Sequence, residues 1–180
     1  MSESRHATPQ PSTQSVMPRP GLYYDDFHVG QKFLTASRTI TETDVVLFAG
    51  LSGDYNPLHT DEVFAAATTY RKRIAHGALG VAVATGLANR LGIFEGTTIA
   101  ILGLDVHYRR PIYINDTVSL ELEVKEKKPP QRGERGLVIF NTMLVNQGHR
   151  AVMDGTWTLM MRTRAAKAET TASRALPTQG

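Results

Sequence analysis

The chain has 180 residues, enough for one well-filled core and too few for two independent ones, so a single domain is expected. With 41% hydrophobic and 21% charged residues it has the make-up of an ordinary globular protein, and no run approaches the ~18 apolar residues that a bilayer span needs. The absence of cysteine excludes disulfide staples, thiolate-bound zinc and a cysteine nucleophile, and a formal charge of +3 without a basic, aromatic-studded stripe gives no sign of a nucleic-acid partner.

Residues 1–20 are rich in Ser, Pro, Gln and Thr, a composition that cannot repay its ordering entropy, and are expected to be a disordered tail. Arg5 and His6 have no apolar stretch behind them, which argues against a secretory signal and for a cytoplasmic protein. The folded unit is expected over 21–163. It opens with a strand in "QKFLTASRTI". The helix signature "TETDVVLFAGLSG" follows, with Thr41 or Thr43 as cap, Glu42 and Asp44 in the first turn and Gly53 at the end. A short helical piece around "DEVFAAAT" precedes the stretch Gly77–Leu91, which is apolar on nearly every side and so reads as an interior helix. The remainder reads as strands: "TIAILGLDVHY", "TVSLELEVKEK", "GLVIFNTMLVNQ" and "RAVMDGTWTLMMR". In the second of these, Val118, Leu120, Leu122 and Val124 alternate with Ser119, Glu121, Glu123 and Lys125, which predicts one buried and one wet face. Residues 164–180 read as a second mobile tail. Strands collected after helices point to an α+β layer arrangement: an antiparallel sheet wrapped around a central buried helix, the hot-dog architecture.

The stretch "SGDYNPLH" carries the chemistry. Pro57 cannot sit in a helix interior and biases Asn56 toward an extended conformation, so the chain must turn between Asp54 and His59. A carboxylate and an imidazole can then converge on one water molecule. An isolated Asp and His at this spacing would more often be a turn cap and a surface histidine; the Asn-Pro insert and the downstream His76–Gly77 pair reverse that reading. The motif closely resembles the G-D-x-N-P-aliphatic-H signature of MaoC-like dehydratases and R-specific enoyl-CoA hydratases. The resemblance continues in "RIAHGAL" and "HYRRPIYINDTVSLELEV" and covers most of residues 25–162. Asn115 stands where many relatives have glycine in the turn before Asp116; Asn tolerates left-handed backbone, so the turn should survive.

The resemblance implies that Asp54 activates water for attack at C3 of an enoyl thioester while His59 protonates C2, with Asn56 holding the pair in place. The product is an (R)-3-hydroxyacyl thioester, and Gly77 N–H binds the thioester oxygen. That last role has a physical rationale of its own, since free N–H groups and the positive dipole end of the expected helix meet there. His76 reads as a structural hydrogen-bonding group ahead of a substrate contact. Asp54, His59 and His76 are a ligand set of the right type for zinc or iron, but no metal and no cofactor beyond the coenzyme A of the substrate is expected. Arg110 is the expected phosphate contact, because Arg109 and Arg110 face opposite ways on a strand. His28, His107 and His149 show no partner pattern. Rival readings are a hot-dog acyl-CoA thioesterase and a non-catalytic acyl-CoA-binding protein. An exposed sheet edge predicts a homodimer or higher homo-oligomer with the acyl-CoA site near its interface, and no membrane partner.

Overall fold

A computed structural model of the chain describes residues 21–131 and 133–165. The expected tails lie outside the described residues except for Arg164 and Ala165; Arg164 Nη2 donates to Asp26 Oδ1 at 2.6 Å. The elements run β1 (Lys32–Leu34), β2 (Arg38–Thr39), α1 (Glu42–Ser52), α2 (Pro57–Thr60), α3 (Glu62–Ala67), α4 (Gly77–Asn89), β3 (Thr98–Tyr108), β4 (Thr117–Gln131), β5 (Arg135–Asn146) and β6 (Ala151–Arg162). Every strand pairing is antiparallel, in the order β1-β4-β5-β6-β3, with β2 also on β4. Among the described residues no helix is long and apolar enough to cross a membrane.

The period of two in β4 is realised as expected. Val118, Leu120, Leu122 and Val124 are fully buried, while Glu121 and Lys125 stand in solvent. Together with Val138, Phe140, Leu144, Trp157, Leu159 and Met161 they form the sheet's inner face against α4. Each such side chain contributes on the order of 1.5–3 kcal/mol relative to exposure. Phe27, just after a 3₁₀ turn, seals one end of this core with edge-on contacts to Phe33 and Phe140 at 6.1 and 5.6 Å.

The expected opening strand is split in two. Thr35 reaches across at the break: its hydroxyl accepts from Leu120 N at 2.9 Å and its N–H donates to Leu120 O at 3.0 Å. A side chain replaces a backbone carbonyl in the ladder, and regular pairing lapses until Arg38. The interior helix also departs from its expectation. Leu79, Gly80, Val83, Ala84, Leu87 and Ala88 are buried, whereas Gly77, Ala78, Ala82 and Gly86 face outward. Those outward residues are so small that the face carries little apolar area to force burial, so α4 lies on the sheet by one stripe.

The turn before Asp116 survives as expected, with Asn115 at φ 76°. Asp116 then closes it, accepting from Tyr113 N and Gln147 Nε2, both at 2.8 Å. Gly155 is required where β6 meets β3, since a Cβ there would collide with the Asp105 carbonyl and sit 3.2 Å from Val106 Cα. Gly155→Ala should therefore destabilise the protein by about 1–3 kcal/mol, read as a shift of the denaturant midpoint at unchanged slope.

Candidate functional site

Three helix boundaries build the site. Thr41 caps α1 in a reciprocal box: its hydroxyl accepts from Asp44 N at 3.2 Å while Asp44 Oδ2 accepts from Thr41 N at 2.8 Å. Gly53, at φ 75°, ends the helix in a left-handed cap. The chain then runs through Asp54 to Asn56, where Asn56 Oδ1 accepts from Leu58 N at 3.0 Å and Pro57 starts α2. This short helix was not expected from the sequence; it presents His59 two residues after its start. His76, the residue before α4, completes the group.

The structure brings Asp54, His59 and His76 together, each offering one carboxylate oxygen or ring nitrogen, all within 4.8 Å of one another. The two imidazoles lie against each other at 3.8 Å between centroids with their planes tilted by 31°, and Phe48 packs on His76 at 5.1 Å. His59 Nδ1 lies 2.8 Å from Ile74 O, and His76 Nε2 lies 2.9 Å from the backbone oxygen of Asp54. A carbonyl only accepts, so both of these nitrogens carry hydrogen. The nitrogens left free are His59 Nε2 and His76 Nδ1. His76 is 2% exposed, and its Nδ1 is buried without a hydrogen-bond partner among the described residues. The His76 ring holds the backbone carbonyl of Asp54 and also lines the cleft described below. Asn56 reaches the acid too, through its backbone, with Asn56 N donating to Asp54 Oδ1 at 3.2 Å.

A cleft of about 520 Å³ opens beside this group, walled by His59, Tyr70, His76, Gly77, Tyr108 and Arg110 together with apolar Ile112 and Met153. Gly77 is the first residue of α4, so its N–H lies at the positive end of the helix dipole. Asp54 and Asn56 are exposed and are not part of the cleft wall. Both arginines lie just past the end of β3 and not on it, and both line the cleft, so the expected alternation on a strand does not apply; their side chains take different partners. Arg109 Nε donates to Asp154 Oδ2 at 2.8 Å and holds that carboxyl below the usual carboxylate range. Arg110 donates to Ala151 O at 2.8 Å and has no carboxylate partner among the described residues. His28, His107 and His149 are exposed and lie outside the cleft, as the sequence suggested. Tyr108 is a cleft residue that sequence reasoning missed. The signal was available in the sequence: Tyr108 stands two residues before Arg110, in the segment that carries the expected phosphate contact.

A larger concavity, about 620 Å³, lies on the opposite face of the sheet. Most of its charges are paired, Lys32 with Glu123 across strands and His107 with Asp105 along β3, each at 3.6 Å, and Asp154 with Arg109.

The sequence model of the MaoC like domain matches residues 26–140. The chain belongs to the MaoC-like domain family. An (R)-specific enoyl-CoA hydratase of Rhodospirillum rubrum is 34% identical over 143 residues, spanning 79% of this chain and 93% of that protein. The solved structure of an unliganded R-hydratase from Pseudomonas aeruginosa is 36% identical with a TM-score of 0.68, covering 79% of this chain and 87% of that one. A double hot-dog protein of Mycobacterium tuberculosis shares the fold at a TM-score of 0.71 and 23% identity, over 79% of this chain and 44% of its own. The fold of this MaoC-like chain is a single hot dog, as its element order suggested.

Because the Asn56 amide oxygen caps α2, Asn56→Ala should lose about 1 kcal/mol of stability, whereas Asn56→Asp should keep the cap and the melting temperature. Thermal melts of the two variants beside wild type check this.

Proposed function

We propose that this MaoC-like hydro-lyase reversibly hydrates trans-2-enoyl-CoA thioesters to (R)-3-hydroxyacyl-CoA. The observation that carries the reading is the convergence of Asp54 and His59 beside the N-terminus of a helix whose first N–H is Gly77. The relatives named above as hydratases support it. Water sits between the Asp54 carboxylate and His59 Nε2, the ring nitrogen not committed to Ile74. As the water oxygen attacks C3, Asp54 takes one of its protons, and the His59 imidazolium gives its Nε2 proton to C2. The proton on Asp54 then returns to His59, so the net change is addition of H and OH across the double bond. The thioester oxygen, which gains charge as the enolate forms, accepts from Gly77 N–H. His76 and Asn56 position the acid through the contacts described above. Arg110, unmated by any carboxylate, takes a phosphate of coenzyme A.

We keep the reading free of metal and of added cofactor. The trio has the donor types of a zinc or iron site, but two of its four ring nitrogens are spent on carbonyls and His76 Nδ1 is closed off by protein. The exposed edge of β3 carries Ile99, Ile101, Leu102 and Leu104, and Asp54 is open to solvent. A second copy laid along that edge would cover it, and we propose a homodimer on that ground.

Asp54→Asn and His59→Asn should each lower kcat for crotonyl-CoA on the order of 10³-fold, followed by loss of the conjugated enoyl absorbance. Chiral analysis should return the R product, and chelator treatment should leave the rate unchanged. Thiol release before hydration would make the protein a thioesterase instead; acyl-CoA binding with no turnover would make it a carrier or sensor.

A further inference from the structure

Tyr108 forms the part of the cleft wall that stands against Gly77, and the mechanism above gives it no task. An ideal Cβ on Gly77 would lie 2.8 Å from Tyr108 Cε1, 2.9 Å from Cζ and 3.2 Å from the hydroxyl oxygen. The phenol therefore occupies the space a side chain at position 77 would need, with its oxygen end beside the start of α4. The base of the ring is fixed: Tyr108 pairs with Met153 at the end of β3, and the next residue's N–H donates to Val152 O at 2.9 Å. Its hydroxyl makes no hydrogen bond among the described residues, unlike the Tyr113 hydroxyl, which donates to Tyr70 O at 3.2 Å. Tyr108 is 60% exposed, so its O–H is open to solvent and free to turn to a substrate, and it lines the same cleft as His59, His76 and the N–H of Gly77.

We infer that Tyr108 is a catalytic residue whose hydroxyl is the second donor to the substrate's thioester oxygen, beside Gly77 N–H. The inference rests on the enoyl-thioester reading and deepens it. The distances permit it. A Cβ lies about 2.5 Å from its own amide nitrogen, which puts the phenolic oxygen at most roughly 5.7 Å from Gly77 N. Two donors at ordinary lengths of about 2.9 Å can share one acceptor across that span. The chemistry requires something of the kind, because an enolate oxygen satisfied by a single N–H keeps most of its developing charge unpaired in a partly apolar cleft. The phenol keeps its proton throughout and serves only as a donor that strengthens as charge builds. The arrangement also accounts for glycine at 77: any side chain there would push the ring, and with it the hydroxyl, off the oxygen.

Tyr108→Phe separates this role from packing, since it keeps the ring over Gly77 and removes the hydroxyl alone. We expect it to melt with wild type and to lose about a hundredfold in kcat with KM little changed. A second reading needs no turnover. 2,4-Hexadienoyl-CoA bound to Asp54→Asn protein should absorb to the red of the free thioester, because donors on the carbonyl polarise the dienoyl system. Adding Tyr108→Phe should shrink that red shift. If wild type hydrates enoyl-CoA while Tyr108→Phe matches its kcat and its red shift, Tyr108 is only a cover and the inference falls alone. If wild type hydrates no enoyl-CoA, the functional reading falls and takes this inference with it.

Discussion

Two imidazole-to-carbonyl hydrogen bonds govern the geometry of the site. His59 spends Nδ1 on Ile74 O, and His76 spends Nε2 on the backbone oxygen of Asp54. Both bonds run to main-chain atoms, so neither can be retuned by a side chain changing rotamer. They set the tautomer of each ring, and thereby which nitrogen of His59 faces the cleft. They also tie three separate segments together: the turn after α1, the short α2 and the approach to α4. If either bond were lost, the carboxylate and the imidazole would still be adjacent in sequence but free to turn apart, and positioning of this kind is a large part of what a site adds to a pair of ordinary functional groups.

Where local chemistry decides the structure, the sequence was readable. The cap at Thr41 and the left-handed Gly53 are dictated within four residues, and α1 and the turn after it appeared where those signals put them; the Asn56–Pro57 start of α2 was missed, because proline opens a helix as well as breaking one. β4 was readable for the same reason, since its alternation belongs to one strand and one face. The break between β1 and β2 was not, because it depends on Thr35 meeting Leu120 from a strand 85 residues away. The outward face of α4 illustrates a different limit. Apolar residues all round suggested full burial, but alanine and glycine are apolar without being large, and area rather than polarity sets the driving force.

The site shows the same division. Asp54, Asn56, His59, His76 and Gly77 were picked out by the resemblance of their local motifs to those of the family, with the helix start as a physical reason for Gly77. The meeting of Asp54, His59 and His76 within a few ångströms adds what spacing alone cannot supply: the contact of the two tilted imidazoles and the carbonyls that fix them. Tyr108 was passed over because an aromatic at a strand end reads as packing. Only its contact with a glycine from another element, 31 positions earlier, shows where its hydroxyl lies.

Tyr108 and the open edge of the sheet belong to one strand. β3 pairs with β6 on one side and leaves Ile101, Leu102 and Leu104 exposed on or beside the other. An apolar, unpaired edge is costly in water and is normally covered, and the register shifts of β3 against β6 leave this one apolar still. Whatever covers it bears on the strand whose last residue packs against the start of α4. Asp54, exposed to solvent, depends instead on the two carbonyl-bound imidazoles. The acid and the carbonyl-binding end are therefore held by different parts of the fold, one by local turns and the other by the sheet.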